Sequence, residues 1–197
     1  MLRYLFLLLL AAGPLLAQDY EEEIAIHRDE YREEFLTSPR SPLKKEDLEG
    51  LRFYEPTLAY RLEARFVPTP KSQPFEMPTY NGEKKAYVKY GELHFSLNGK
   101  PQKLAVYKSA LPQLPQYRDY LFVPFKDPTN GTTTYGGGRY LDLRTNDVKD
   151  KRLLLDFNKA YNPYCAYSDG YSCPIPPAEN HLKVAIEAGE KTYAKQR

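Results

Sequence analysis

The chain has no tryptophan, two cysteines, two methionines and three histidines in 197 residues, and each shortage removes a class of explanation. His27, His94 and His181 are scattered, and Cys165 and Cys173 do not form a Cys-x-x-Cys pair, so neither a zinc-ligand spacing nor a redox motif is present. No Gly-x-Ser-x-Gly elbow accompanies the histidines, which leaves no nucleophilic triad to assemble. Charge of one sign is also missing. Lys and Arg number 28 against 26 Asp and Glu, a net charge of +2, so nothing electrostatic points to nucleic acid or to an acidic membrane. No apolar run is long enough for a permanent transmembrane helix, since residues 5–12 fall short of the roughly 20 residues needed.

That short run sits in a targeting segment. Arg3 supplies the positive start, Gly13-Pro14 breaks the run, and Ala17 offers a small residue for cleavage before Gln18. Residues 1–17 are therefore expected to be a signal peptide, with an uncleaved membrane anchor as the alternative. An exported protein, periplasmic or secreted, with no stable membrane insertion after cleavage is the expectation. Two cysteines in such a compartment favour a disulfide between Cys165 and Cys173, ahead of two buried thiols. The remaining chain of about 180 residues is one domain by size.

What is abundant is tyrosine, at eighteen, and proline, at seventeen, with eleven glycines. This composition favours half-buried strands and loops over a helical bundle. One helix is nonetheless clear over residues 19–37, where Tyr20, Ile24, His27, Tyr31 and Phe35 form one apolar face and Ser38-Pro39 ends it. The Glu- and Arg-rich face opposite should be solvated, Asp19 would cap the start, and His27 reads as a packed side chain. A short helical turn is expected over residues 44–51. Beyond Arg52 the pattern takes period two, with strands over 58–66, 86–90, 92–97, 100–107, 120–125, 139–144 and 152–157. Asn98-Gly99 marks a two-residue hairpin turn that pairs Leu97 with Lys100, Phe95 with Gln102, Leu93 with Leu104 and Gly91 with Val106. His94 then points away from Leu93 and Phe95 toward solvent. A second helix is expected from Asn180 to about Ala194, capped by Asn180. The organisation is a signal peptide over 1–17, a helix and connection over 18–42, and a β-rich domain over 43–197. The fold class is α+β, mostly β: one antiparallel barrel- or sandwich-like domain with an N-terminal and a C-terminal helix.

The polar groups that would build a site gather in the last third. Gly136-Gly137-Gly138 precedes a strand rather than a helix, so it reads as a turn or bulge and not as a phosphate cradle. Arg139 shares a strand face with Leu141 and Leu143 and should point inward, where a guanidinium needs an anion. Asp127 or Asp156 would supply one as a structural salt bridge; a clamped ligand carboxylate, phosphate or sulfate is the sharper reading. Asn158, Asn162 and Asn180 suit turns and caps. Asp142 with Asp156 would be the carboxylate pair of an acid–base site.

The runs Phe125-Lys-Asp-Pro-Thr-Asn-Gly, Thr134-Tyr-Gly-Gly-Gly-Arg-Tyr-Leu-Asp, Leu155-Asp-Phe-Asn-Lys-Ala-Tyr-Asn-Pro-Tyr-Cys-Ala-Tyr and Cys173-Pro-Ile-Pro-Pro-Ala-Glu-Asn resemble bacterial domain-of-unknown-function family 1684. The resemblance extends over roughly residues 20–195 and places Tyr135, Arg139, Asp156, Asn158, Asn162 and Glu179 within the family pattern. It implies no catalytic residue and no cofactor. The candidate ligand-binding residues are Tyr135, Arg139, Asp156, Asn158 and Asn162, with Cys165 and Cys173 as the disulfide. No metal site and no cofactor are expected. The favoured function is a binding module for a small polar or anionic molecule, a glycan fragment included. A hydrolase or lyase using carboxylate, Tyr and Arg side chains is the first alternative, and a structural or protein-interaction domain the second.

Overall fold

The computed structural model describes residues 12–194. Residues 1–11 of the expected signal peptide lie outside them. Helix α1 covers Ala12–Thr37, so it begins before Asp19, which is not its cap, and it ends where Ser38-Pro39 predicts. Tyr20, Ile24 and Phe35 are buried on its apolar stripe. Among the described residues no helix is long and apolar enough to cross a membrane.

Seven strands follow: β1 (Arg61–Pro68), β2 (Phe75–Pro78), β3 (Lys84–Leu97), β4 (Lys100–Ser109), β5 (Tyr120–Phe125), β6 (Arg139–Arg144) and β7 (Arg152–Asp156). All pair antiparallel, in the order β6-β5-β4-β3-β1-β7, with β2 also on β3. The Asn98-Gly99 hairpin has all four expected pairings, and both turn residues take positive φ, 52° and 72°. Strands expected over 86–90 and 92–97 are one long β3, bent by a register shift between Lys89 and Gly91. Gly91 has no side chain where the Phe66 ring packs against it. β2 was not expected; its flanking prolines confine it to an edge, where a missing N–H leaves no ladder bond unmade.

The sheet curls into a half-barrel, and chain lengths require it. Its outer strands are five spacings apart, about 24 Å if the sheet were flat. Yet Tyr161, five residues beyond β7, exchanges backbone hydrogen bonds of 2.9 and 3.1 Å with Tyr140 of β6. Part of that span, Phe157–Lys159, is a 3-10 turn rising only about 2 Å per residue. The concave side holds the main core, including Phe66, Leu93, Leu104, Val123, Phe125, Leu141 and Leu155.

The expected C-terminal helix does not form. Residues 181–194 run irregularly across the mouth of the half-barrel, pinned by Leu182 N to Lys126 O (2.8 Å), Glu190 N to Ala160 O (2.8 Å) and Lys191 N to Arg52 O (2.8 Å). Leu182 and Ile186, expected on one helix face, enter the core from this open chain together with Ala188, while Ala185 of the expected face is exposed. Gly189 has φ +74° and passes against the carbonyls of Ala160 and Phe157, where a Cβ would collide.

Asn180 is not a helix cap but a repair of the sheet. Pro124 places a residue without an N–H in the interior strand β5, and β4 and β5 share only the Tyr107–Phe122 pairing. The fully buried Asn180 side chain fills the gap. Its Oδ1 accepts from Ala105 N (2.7 Å), and its Nδ2 donates to Ala105 O (2.9 Å) and Pro124 O (2.7 Å). Asn180→Ala should destabilise the fold by about 3 kcal/mol, since backbone groups of Ala105 and Pro124 would be buried without partners. Urea unfolding measures this, and a loss below about 1 kcal/mol would mean that water or a shifted strand satisfies those groups.

Candidate functional site

Arg139 points inward from β6 and is fully buried. Its Nη2 donates to Asp127 Oδ2 (3.0 Å) and Ile186 O (2.8 Å), and its Nη1 to Glu190 O (3.3 Å) and Ala188 O. Asp127 Oδ1 in turn accepts from Thr129 N (2.9 Å), Thr129 Oγ1 (2.7 Å) and Ile186 N (3.1 Å). Burial pulls the guanidinium below the usual arginine value, and Asp127 opposes that shift. Of the two carboxylates considered for Arg139, Asp127 is the partner.

Asp156 accepts the Tyr20 hydroxyl on both oxygens (3.0 and 3.0 Å) and receives Asn158 N on Oδ1 (3.0 Å). Asn158 pairs with both backbone groups of Thr57, each at 3.0 Å. The Tyr135 hydroxyl donates to Cys165 O (3.3 Å). Asn162 donates its backbone N–H to Glu190 Oε2 (2.8 Å) and its Nδ2 to Lys191 O (2.8 Å). Glu190 is wholly buried and also accepts from Tyr31 (3.1 Å) and Tyr167 (2.8 and 2.9 Å). Burial pushes its carboxyl up to about 7 against these hydrogen bonds.

A cavity of about 650 Å³ lies outside this lattice, between α1, the outward face of β6, and segments 158–164 and 171–174. Asn158 lines it; Tyr135, Arg139, Asp156 and Asn162 do not. Asp142, which alternates outward from Leu141 and Leu143, is in its wall. The hydroxyls of Tyr120 and Tyr161 both donate to Asp142 Oδ1, each at 2.7 Å, which leaves Oδ2 open. The residue is exposed, and the protein around it raises its pKa by desolvation in spite of both tyrosines. Glu34 of α1 lines the same space, and its pKa is raised by burial and then by the charges of Asp142 and Glu30. His27 also lines it and is shifted down by burial and by Lys159.

Asp142 and Asp156 do not share the cavity: Asp142 lines it, whereas Asp156 is not part of its wall and is engaged by Tyr20 and Asn158. Glu34 is exposed, as expected of that face of α1, but it also lines the cavity, which sequence reasoning missed together with the tyrosines that hold Asp142. The signal was present in the outward alternation Tyr140-x-Asp142, but nothing local says which helix would cover it. Cys165 and Cys173 stand at disulfide distance, Cα–Cα 6.3 Å. They bracket a loop whose Tyr171, Ser172 and Cys173 form part of the cavity wall. Among the described residues no three His, Cys, Asp or Glu side chains come together as a metal site.

A family model described as "Protein of unknown function (DUF1684)" matches residues 46–191, in agreement with the resemblance in the motifs, though without its bacterial qualifier. The fold is similar to the solution NMR structure of an uncharacterized protein from Haloarcula marismortui, with 34% sequence identity and a TM-score of 0.70. The alignment covers 90% of this chain and 97% of that one. No curated protein matches the chain.

Arg139→Ala should cost about 3–5 kcal/mol by leaving Asp127 charged and alone in the interior. Hydrogen exchange should speed up over residues 182–192 first; uniform exchange with a loss below about 1 kcal/mol would show that the C-terminal segment is held by other means. The raised carboxyl of Glu190 sets a second expectation. A group that holds its proton more tightly when folded favours folding at low pH, and that contribution disappears as pH rises from 4.5 to about 7. Relative to Glu190→Gln, the wild type should lose about 3 kcal/mol across that window. Denaturation curves at several pH values test it, and a difference independent of pH would show that Glu190 is ionised throughout.

Proposed function

The chain belongs to the DUF1684 family, a family of unknown function, and on that premise we propose that it is an exported binding protein for a small polar molecule. The cavity beside β6 is its site. The observation that carries this reading is the Asp142 carboxylate, with one oxygen fixed by two tyrosine hydroxyls and the other left open, in the wall of a space of about 650 Å³. A space of this size suits a small ligand, and oriented polar groups on an aromatic surface are what such sites use to select one. Asn158 is retained from the expected site residues, and Arg139 becomes part of the frame. Export is supported by the signal-peptide pattern in residues 1–17 and by the cysteine pair at disulfide distance.

A hydrolase or lyase is the second reading. It is favoured by two carboxyls in one cavity, Asp142 and Glu34, both raised toward the range in which a general acid works. Tyr161 and Arg40 would be the accompanying side chains in the same cavity.

A thermal-shift screen of the purified protein against sugars, amines, organic anions and nucleotides should yield a compound that raises Tm. Calorimetry should then show its affinity falling by about tenfold or more, about 1.4 kcal/mol, in Asp142→Asn. If affinity is unchanged in that variant, with its folding intact, the site lies elsewhere. Turnover of any hit, lost in both Asp142→Asn and Glu34→Gln, would favour the enzyme.

A further inference from the structure

The charges around the cavity are not equally free. Lys159 is paired with Glu23 (2.8 Å). Arg28 donates to Tyr54 O (2.6 Å) and covers the Phe53 ring at 4.7 Å. Lys85 donates to Ser172 O (2.5 Å). Among the described residues Arg40 forms no ion pair, and the cavity group it acts on is Lys85. The acids are in the opposite state. Among the described residues Asp142, Glu34 and Glu30 form no ion pair, and the cation that acts on Asp142, Arg144, is bonded to Asp119 at 2.8 Å. Arg28 and Lys85 keep their charges when bonded to carbonyls, but it is Asp142 and Glu30 that act on Glu34, and they raise its cost of ionising.

The surface next to them is aromatic and continuous. Ring centroids run from Tyr140 to Tyr161 (5.8 Å), Tyr161 to Tyr31 (6.0 Å), Tyr31 to Phe35 (5.0 Å) and Phe35 to Tyr164 (5.7 Å). Aromatic rings attract a cation that meets their faces, and carboxylates that line the same cavity attract it as well. The donor set does not suit a metal ion, since among the described residues no three ligating side chains converge.

We infer that the cavity takes a small organic ammonium ion, its positive head set between Asp142 and Glu34 and its alkyl groups against the tyrosine wall. The inference rests on the binding reading above and names the ligand class for the same site. It reverses the sign of the ligand expected from Arg139, because that guanidinium is spent on Asp127 and three carbonyls.

The test is calorimetric titration of the full-length processed protein with choline, with its uncharged carbon isostere dimethylbutanol, and with acetate. Choline should bind at least about tenfold more tightly than either, and both Asp142→Asn and Glu34→Gln should weaken it by about tenfold. Glu34 is exposed on α1, so its variant retains the fold even if Asp142→Asn does not. Equal binding of choline and dimethylbutanol, sensitive to Asp142→Asn, would overturn the ammonium inference and leave the cavity as the site. Choline binding unaffected by both substitutions would also overturn it. Absence of choline binding would do the same, while the broader screen decides independently whether the cavity binds anything.

Discussion

The buried ion pair of Arg139 with Asp127 is the interaction on which the remaining architecture rests. A guanidinium removed from water needs partners for its donors, and the fold supplies both Nη groups with one carboxylate and the carbonyls of Ile186, Ala188 and Glu190, leaving Nε buried without one. Those carbonyls belong to a segment that would otherwise make its own helical hydrogen bonds. Once they face Arg139, the segment stays open, lays Leu182, Ile186 and Ala188 over the core, and carries Glu190 inward. Glu190 then receives Tyr31 of α1, together with Tyr167 and Asn162. The helix that walls the cavity is thus positioned through a chain of contacts that begins inside the half-barrel.

The same strand serves both sides of that arrangement. Alternation along β6 sends Arg139, Leu141 and Leu143 into the core and Tyr140 and Asp142 outward. The inward charge is neutralised on the spot. The outward one keeps an open oxygen, and its neighbours across the cavity, Glu34 and Glu30, have the same sign. Confinement explains both shifts: the arginine is lowered and the aspartate raised because protein replaces the water that would solvate each charge.

Much of the fold was legible where local rules are strong. The Asn98-Gly99 turn, the inward alternation of Leu93, Phe95, Leu104 and Val106, and the bounds of β5 and β6 follow from period two and from turn chemistry. The apolar face of α1 likewise follows from period 3.6. The C-terminal segment misled because Leu182, Ala185 and Ile186 have helical spacing, yet the partners of its backbone are Lys126, Ala160 and Arg52, all distant in sequence. Asn180 misled for the same reason. Its carboxamide suits a cap, but the unmet need was at Pro124 in another strand. In the candidate site, Arg139 was correctly turned inward and Glu34 is exposed as its helix face predicts, but nothing in that helix marks the cavity that Glu34 lines.

The sequence by itself determined the period of each main element, the hairpin register, the family and the inward direction of Arg139, because each depends on neighbours within a few residues or on recognisable motifs. Only the tertiary structure decided which carboxylate meets Arg139, that the last segment stays unwound, and that Asp142 and Glu34 share one recess. Those outcomes depend on which donors and acceptors the curled sheet brings together across the chain. Burial then fixes them, since a charge or an amide withdrawn from water must take whatever partner the fold supplies.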